Sequence, residues 1–314
     1  MKGFKMKKIA YLISAISAGL FSSAANADIS VSGTGSIAYT DAGGNTSTTY
    51  GGGVSFGLST TTDAGVTVSA SSAISNDNDS VGSSSAATGV TAMSFGFANG
   101  SITIGGDIGV ADGVGKVGEL AHYNDNQTSI TNSVGIGDDE GDGVKATTSI
   151  GDMSLAVVYV WDGAGGGDVD GAATTSQSIS LSMPVGAGTL TVANASDDLG
   201  GTNMNETGVA YTMSVAGGSL SLGFTGTDGD STAKEGEAVS VAYSTTMGGV
   251  AVGLGYTGHD ANSKTANQTD ITLSSALGGG VSVFAEYSNV SGTVAAETAS
   301  LSNNTVAVGT SVSF

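Results

Sequence analysis

Apolar and polar residues alternate along most of this chain with a period of two. In 281-VSVFAEYSNV-290, Val281, Val283, Ala285 and Tyr287 share one face, while Ser282, Phe284, Glu286 and Ser288 share the other. Successive side chains of a strand point to opposite faces, so this is the pattern of a strand with two unlike sides. It recurs in sixteen segments, near 28–40, 50–61, 66–76, 88–98, 101–109, 142–150, 153–162, 174–185, 189–197, 206–216, 219–228, 236–247, 250–260, 267–278, 281–290 and 304–314. Each is close to the roughly 9–11 residues that a tilted strand needs to cross a bilayer. One parity collects large apolar side chains, such as Leu155, Val157, Tyr159 and Trp161, then Val239, Val241 and Tyr243, then Val306, Val308, Val312 and Phe314. The other parity is Ser, Thr, Ala and Gly, with Asp107, Lys145, Asp270 and Glu286 among them.

The connections alternate as well. Every second one is a tight turn of Gly, Asn or Asp: 63–65, 99–100, 151–152, 186–188, 217–218, 248–249 and 278–280. Gly and Asn accept the positive φ that hairpin turns require. The others are longer and rich in Asp, Asn, Gly and Ser: 41–49, 77–87, 110–141, 163–173, 198–205, 229–235, 261–266 and 291–303. Short and long connections in strict alternation predict an up-and-down sheet with two unlike ends. The fold class expected is therefore all-β, a transmembrane antiparallel up-and-down β-barrel of about 16 strands, with short turns on the periplasmic side and long external loops. Tyr39, Tyr50, Tyr159, Trp161, Tyr243, Tyr256 and Tyr287 are expected near strand ends beside the long connections, as an interfacial aromatic girdle.

Composition separates this reading from a soluble sandwich. Charged residues are 11% of the 314, where soluble domains carry about 25%. The 52 glycines disfavour long helices, since each costs roughly 1 kcal/mol in a helix interior. A single Pro fits strands paired on both sides with no free edge. The formal net charge is −20, there is no Arg, and four of the 8 lysines fall within the first eight residues. That balance excludes a nucleic-acid partner, which needs clustered basic residues, and favours cations. Without Cys there are no disulfides and no thiol chemistry.

Residues 1–27 read as a signal peptide: basic MKGFKMKK, apolar IAYLISAISAGLFSSA, and the A-x-A junction Ala25-Asn26-Ala27, with cleavage before Asp28. The mature unit is then 28–314, a single barrel domain with 110–141 as its candidate lumen loop.

The A-x-A junction, the mature start 28-DISVSGTGSIAY-39, the repeated hairpins, the long third loop and the last strand 304-NTVAVGTSVSF-314 together carry a family likeness. The chain resembles the Gram-negative general diffusion porins, most like the sixteen-stranded porins of alphaproteobacteria. The resemblance implies an outer-membrane, water-filled channel for passive diffusion of small hydrophilic solutes and ions. It also implies a homotrimer in outer-membrane lipid, and closure of first strand on last, bringing Asp28 and Phe314 together. Phe314 would then be the signal read by the barrel-assembly machinery. In this family the third loop folds into the lumen. Within 117-VGELAHYNDNQ-127, Val117, Leu120 and Tyr123 are the candidate wall anchors, and Glu119 and Asp125 are expected to face the passage. The family sets such acids against an arginine cluster, which this chain lacks; Lys145 is the candidate on the lumen parity of a strand. The expected lining is Asp107, Glu119, Asp125, Lys145 and Glu286, which predicts cation preference.

Other chemistry is thin. The segment 138-DDEGDG-143 spaces Asp138, Glu140 and Asp142 as a calcium loop begins, but Ser149 stands where the closing Glu belongs. A solvated acidic loop is the simpler reading, with weak structural calcium as its alternative and no other cofactor expected. His122 and His259 stand outside any nucleophile–base constellation, so no enzyme is expected. A rival function is a secreted calcium-binding all-β surface protein of the adhesin type. It shares the leader and the Gly/Asp/Ser bias, but leaves the alternating connections and the terminal Phe unexplained.

Overall fold

The computed structural model describes residues 28–42, 44–78, 92–111, 114–121, 140–162, 175–198, 203–230, 235–261, 264–293 and 301–314. They form sixteen strands. In chain order these are β1 Asp28–Ala42, β2 Asn45–Thr61, β3 Thr67–Asn78, β4 Ala92–Phe97, β5 Gly100–Gly109, β6 Glu140–Ile150, β7 Met153–Asp162, β8 Thr175–Val185, β9 Gly188–Asp198, β10 Asn203–Val215, β11 Gly218–Gly229, β12 Gly236–Met247, β13 Val250–Ala261, β14 Lys264–Gly278, β15 Val281–Gly292 and β16 Leu301–Ser313. Every strand pairs with its sequence neighbours, and β1 pairs with β16, so the sheet closes into an antiparallel barrel.

The alternation sorts the two faces as the pattern predicts. Val157, Trp161, Ile179, Leu222, Val239, Leu254, Ile271, Val306 and Val308 are exposed on the outer surface. The inward parity is built of small and hydroxyl-bearing side chains. Across the pairing register they meet as hydroxyl couples: Ser101 with Thr147 at 2.8 Å, Ser182 with Thr191 at 2.9 Å, Thr212 with Ser221 at 2.8 Å and Ser282 with Ser311 at 2.7 Å. The centre is therefore not a solid apolar core. Among the described residues there is an inward apolar patch that the pattern alone did not mark. Ile108 and Val110, where the chain leaves β5, pack with Val158 and Val160 of β7, Ala195 of β9 and Met204 of β10. Burying such a side chain contributes about 1.5–3 kcal/mol, enough to hold the root of the connection that follows β5.

Several connections differ from the sequence reading. The expected long connection 41–49 contracts, because β1 runs to Ala42 and β2 starts at Asn45. The Thr-rich segment 45–49 zips against Ala38–Ala42 instead of looping out. Gly44 turns the chain with φ +91°, and its N–H donates to Asp41 Oδ1 at 3.0 Å. The connection 261–266 shortens likewise, between Ala261 and Lys264. In the β10–β11 hairpin the central pair is Ala216-Gly217, with φ of 50° and 79°, rather than Gly217-Gly218. Both central positions of that turn take positive φ, as twisted hairpins favour.

The girdle needs one correction. Tyr39, Tyr50, Trp161, Tyr256 and Tyr287 are exposed on the outer face. Tyr243 instead reaches the short-turn end: its hydroxyl donates to the Val215 carbonyl at 3.4 Å, as Tyr211 donates to that of Val185 at 2.9 Å. These two tyrosines belong to the opposite rim.

The closing seam is also offset from expectation. β1 and β16 pair from Thr34↔Ser313 to Ala42↔Thr305. Phe314 meets Gly33, each donating its N–H to the other's carbonyl at 3.0 Å. Asp28 lies five residues further along β1, paired only with Ser59 of β2. Strand stagger in a closed barrel produces this overhang. A side chain on Gly33 would run into the Phe314 ring, whereas one on Gly35 would find no atom nearer than 3.9 Å. The exposed Phe314 ring can swing aside, but an added Cβ on Gly309 of β16 would overlap the Ile37 carbonyl of β1, so Gly309→Val is expected to cost about 1–3 kcal/mol by overpacking. The purified barrel would lose its compact mobility on SDS gels at a lower temperature, while Gly35→Ala would leave that temperature unchanged.

Candidate functional site

The chain that leaves β5 runs inward across the barrel. Ala111 N–H donates to Ser178 Oγ on β8 at 2.8 Å. Val114 and Gly115 lie against Gly208 of β10, and Gly115 also against Gly223 and Phe224 of β11. Gly118 and Leu120 lie against Gly255 of β13. The N–H groups of Leu120 and Ala121 both donate to Asp270 Oδ2 on β14, at 2.7 and 3.2 Å. One loop thus touches β8, β10, β11, β13 and β14, which is geometrically possible only on the inner face of a closed barrel.

Charge at this crossing is arranged in pairs. Lys116 Nζ stands 3.7 Å from Glu206 Oε2, with both side chains buried. Asp270 is fully buried; besides the two loop N–H groups it accepts from Gln268 Nε2, at 3.2 Å on Oδ1 and 3.0 Å on Oδ2. Several donors offset the cost of shielding such a carboxyl group from water. Ser176 Oγ donates to Asp197 Oδ1 at 2.8 Å, a second buried acid on the inward parity.

Of the expected lining residues, Glu119 is half-buried between loop and wall. Its Oε1 is shielded from solvent without a hydrogen bond. Desolvation pushes its carboxyl up to about 7; the Lys116 ammonium opposes that rise and the Asp270 carboxylate adds to it. Lys145 is exposed on β6, opposite Thr103 of β5 and Val158 of β7. Glu286 on β15 is buried on the inward parity, opposite Thr272 and Ala307. Asp107 belongs to β5, and its side chain lies outside the described residues, as do the whole of Asp125 and the proposed anchor Tyr123. Among the calcium candidates, Asp142 is exposed at the β6–β7 register shift; Asp138 and the Glu140 side chain lie outside the described residues. Among the described residues no three acidic or His side chains converge as a metal site. The leader residues Ala25 and Ala27 also lie outside them.

Lys116, Glu206, Asp197 and Gln268 were not among the sequence candidates. Parity could have found the acids, since Glu206 and Asp197 fall on the inward side of their strands. The pairing of Lys116 with Glu206 had no local signal, because ninety positions separate the two. On the opposite wall, Ser30, Ser59, Ser69, Ser71, Ser94 and Thr103 line an open volume of about 350 Å³. Where an arginine cluster was the family expectation, this wall carries hydroxyls.

A closed sixteen-strand antiparallel barrel, apolar outside and hydrophilic inside, defines a transmembrane channel. The chain matches the Gram-negative porin family over residues 14–314, and it belongs to that family. It is an outer-membrane protein that forms a diffusion channel. A search of curated proteins returns no match. Among solved structures it is similar to a loop-deletion variant of OmpT, an outer membrane protein of Vibrio cholerae, at TM-score 0.70 and 11% identity, covering 92% of this chain and 99% of that one. It is similar also to an engineered variant of Rhodobacter blastica porin, at TM-score 0.65 and 19% identity, covering 91% of this chain and 100% of that one.

The raised Glu119 carboxyl has a pH consequence. Below about pH 7 it is mainly neutral; above, it adds a negative charge at the crossing. The cation-over-anion permeability ratio is expected to rise between pH 6 and pH 8 in planar bilayers. Glu119→Gln should flatten that rise. An equal rise in the Gln variant would show that Glu119 is not its source.

Proposed function

We propose that this porin admits small hydrophilic solutes with a preference for cations, through a passage narrowed by the loop that follows β5. The observation that carries this reading is that acids outnumber lysines among the described inward charges while the loop spans the lumen. Glu119, Asp197, Glu206, Asp270 and Glu286 stand against Lys116, Lys145 and, on the inward parity of β14, Lys264. Lys116 is largely cancelled by Glu206. Lys145 is exposed on the inward parity of β6, paired with Thr103 of β5. Negative potential in a narrow low-dielectric passage raises the local concentration of cations and repels anions.

The working unit is proposed to be a homotrimer in the outer membrane, reached after removal of residues 1–27. One similar structure, of Vibrio cholerae OmpT, is described as a trimer form. Asp107 and Asp125 complete the proposed lining. No catalytic role is proposed. A calcium-binding adhesin would not need an inner face of paired hydroxyls crossed by a loop.

Reversal potentials under a KCl gradient test the preference. Wild-type channels are expected to favour potassium over chloride, and Lys145→Glu to strengthen that preference. Chloride preference in the wild type would overturn the reading.

A further inference from the structure

Where the loop crosses the barrel, main chain rests on main chain. A Cβ on Gly223 would overlap the carbonyl oxygen of Gly115, and one on Gly255 would overlap that of Gly118. From the loop side, a Cβ on Gly115 would overlap the Phe224 carbonyl, and one on Gly118 the Tyr256 carbonyl. At Gly208 an added Cβ would lie 2.8 Å from Val114 Cβ. Glycine weakens a strand interior, and its presence there commonly marks the close approach of another backbone. Here the approaching backbone is visible at three wall positions on three different strands. At the far end the Asp270 carboxylate grips two consecutive loop N–H groups. Contacts with the wall are thus steric along the track and electrostatic at its end.

We propose that Gly208, Gly223 and Gly255, ending at Asp270, form a seat that sets how far the loop stands off the wall, and so sets the bore. They are positioning residues: none needs to touch a permeating solute. The proposal rests on the reading of the loop as a constriction. A loop of fixed thickness takes from the passage whatever distance it is lifted from the wall. The two parts of the seat therefore act with opposite sign. A methyl group on the track lifts the loop into the lumen. Loss of the Asp270 grip releases the loop's end.

Single-channel recording in planar bilayers separates these effects. Gly223→Ala and Gly255→Ala are expected to lower the conductance, and their combination to lower it further. Gly118→Ala makes the same clash from the loop and leaves every strand intact, so it stands in where a strand variant fails to fold. Asp270→Ala is expected to raise the mean conductance and its open-channel noise, whereas Asp270→Asn, which keeps an acceptor oxygen, should return both toward wild type. Heat-modifiable gel mobility establishes that each variant is folded. Excision of residues 114–121 serves as the reference. If excision widens the channel but the alanine variants conduct as wild type does, the seat is overturned and the constriction stands. If excision leaves conductance unchanged, the constriction itself is overturned.

Discussion

Backbone hydrogen bonding in hydrocarbon is the constraint on which this molecule rests. With no water to satisfy them, the N–H and C=O groups of every spanning strand must pair with a neighbour, and the last strand must return to the first. The seam between β1 and β16 meets that demand, ending at the reciprocal bonds of Gly33 and Phe314. Closure then frees the side chains for a different task. The outer parity need only match lipid, and the inner parity need only keep water. Neither face has to fill a core, which is why a chain so rich in Gly, Ser and Thr can hold a defined shape.

The interior spends its charges on the loop. Asp270 and Glu206 lie on the inward parity, yet both are buried against loop groups. Their oxygens hold the loop in place. Glu119, wedged beside Asp270 with a shielded oxygen, is left with the raised carboxyl. On the proposed reading, the residues that position the loop are thus also those that set the electrostatics of the passage. The wall across from the loop is quieter, a field of hydroxyls from Ser30 to Thr103.

Where reading from sequence departed from the fold, the reasons are local and physical. The segment 45–49 looked like a loop because it is polar, but β-branched Thr46, Thr48 and Thr49 extend a ladder above the apolar band just as well as apolar residues do. Tyr243 was grouped with the upper girdle as an outward aromatic, yet it stands nearer the Met247 end of β12 than the Gly236 end, and its hydroxyl reaches the short-turn rim. Asp28 was matched with Phe314 because end-to-end closure ignores stagger. Val158, Val160 and Met204 were passed over because an inward apolar residue contradicts the general parity; they make sense only once the loop root lands on them.

The amino-acid sequence by itself determined the barrel: the strand number, the inside and the outside, the two unlike ends and the order of pairing. All of these follow from short-range rules, a period of two and the chemistry of turns. Only the tertiary structure decided which residues meet across the lumen. Lys116 found Glu206, Leu120 and Ala121 found Asp270, and Gly118 found Gly255 because a closed sheet brings distant strands to one interior and lets a single loop cross them. No periodicity encodes such contacts, since they arise from curvature and stagger rather than from neighbours in the chain.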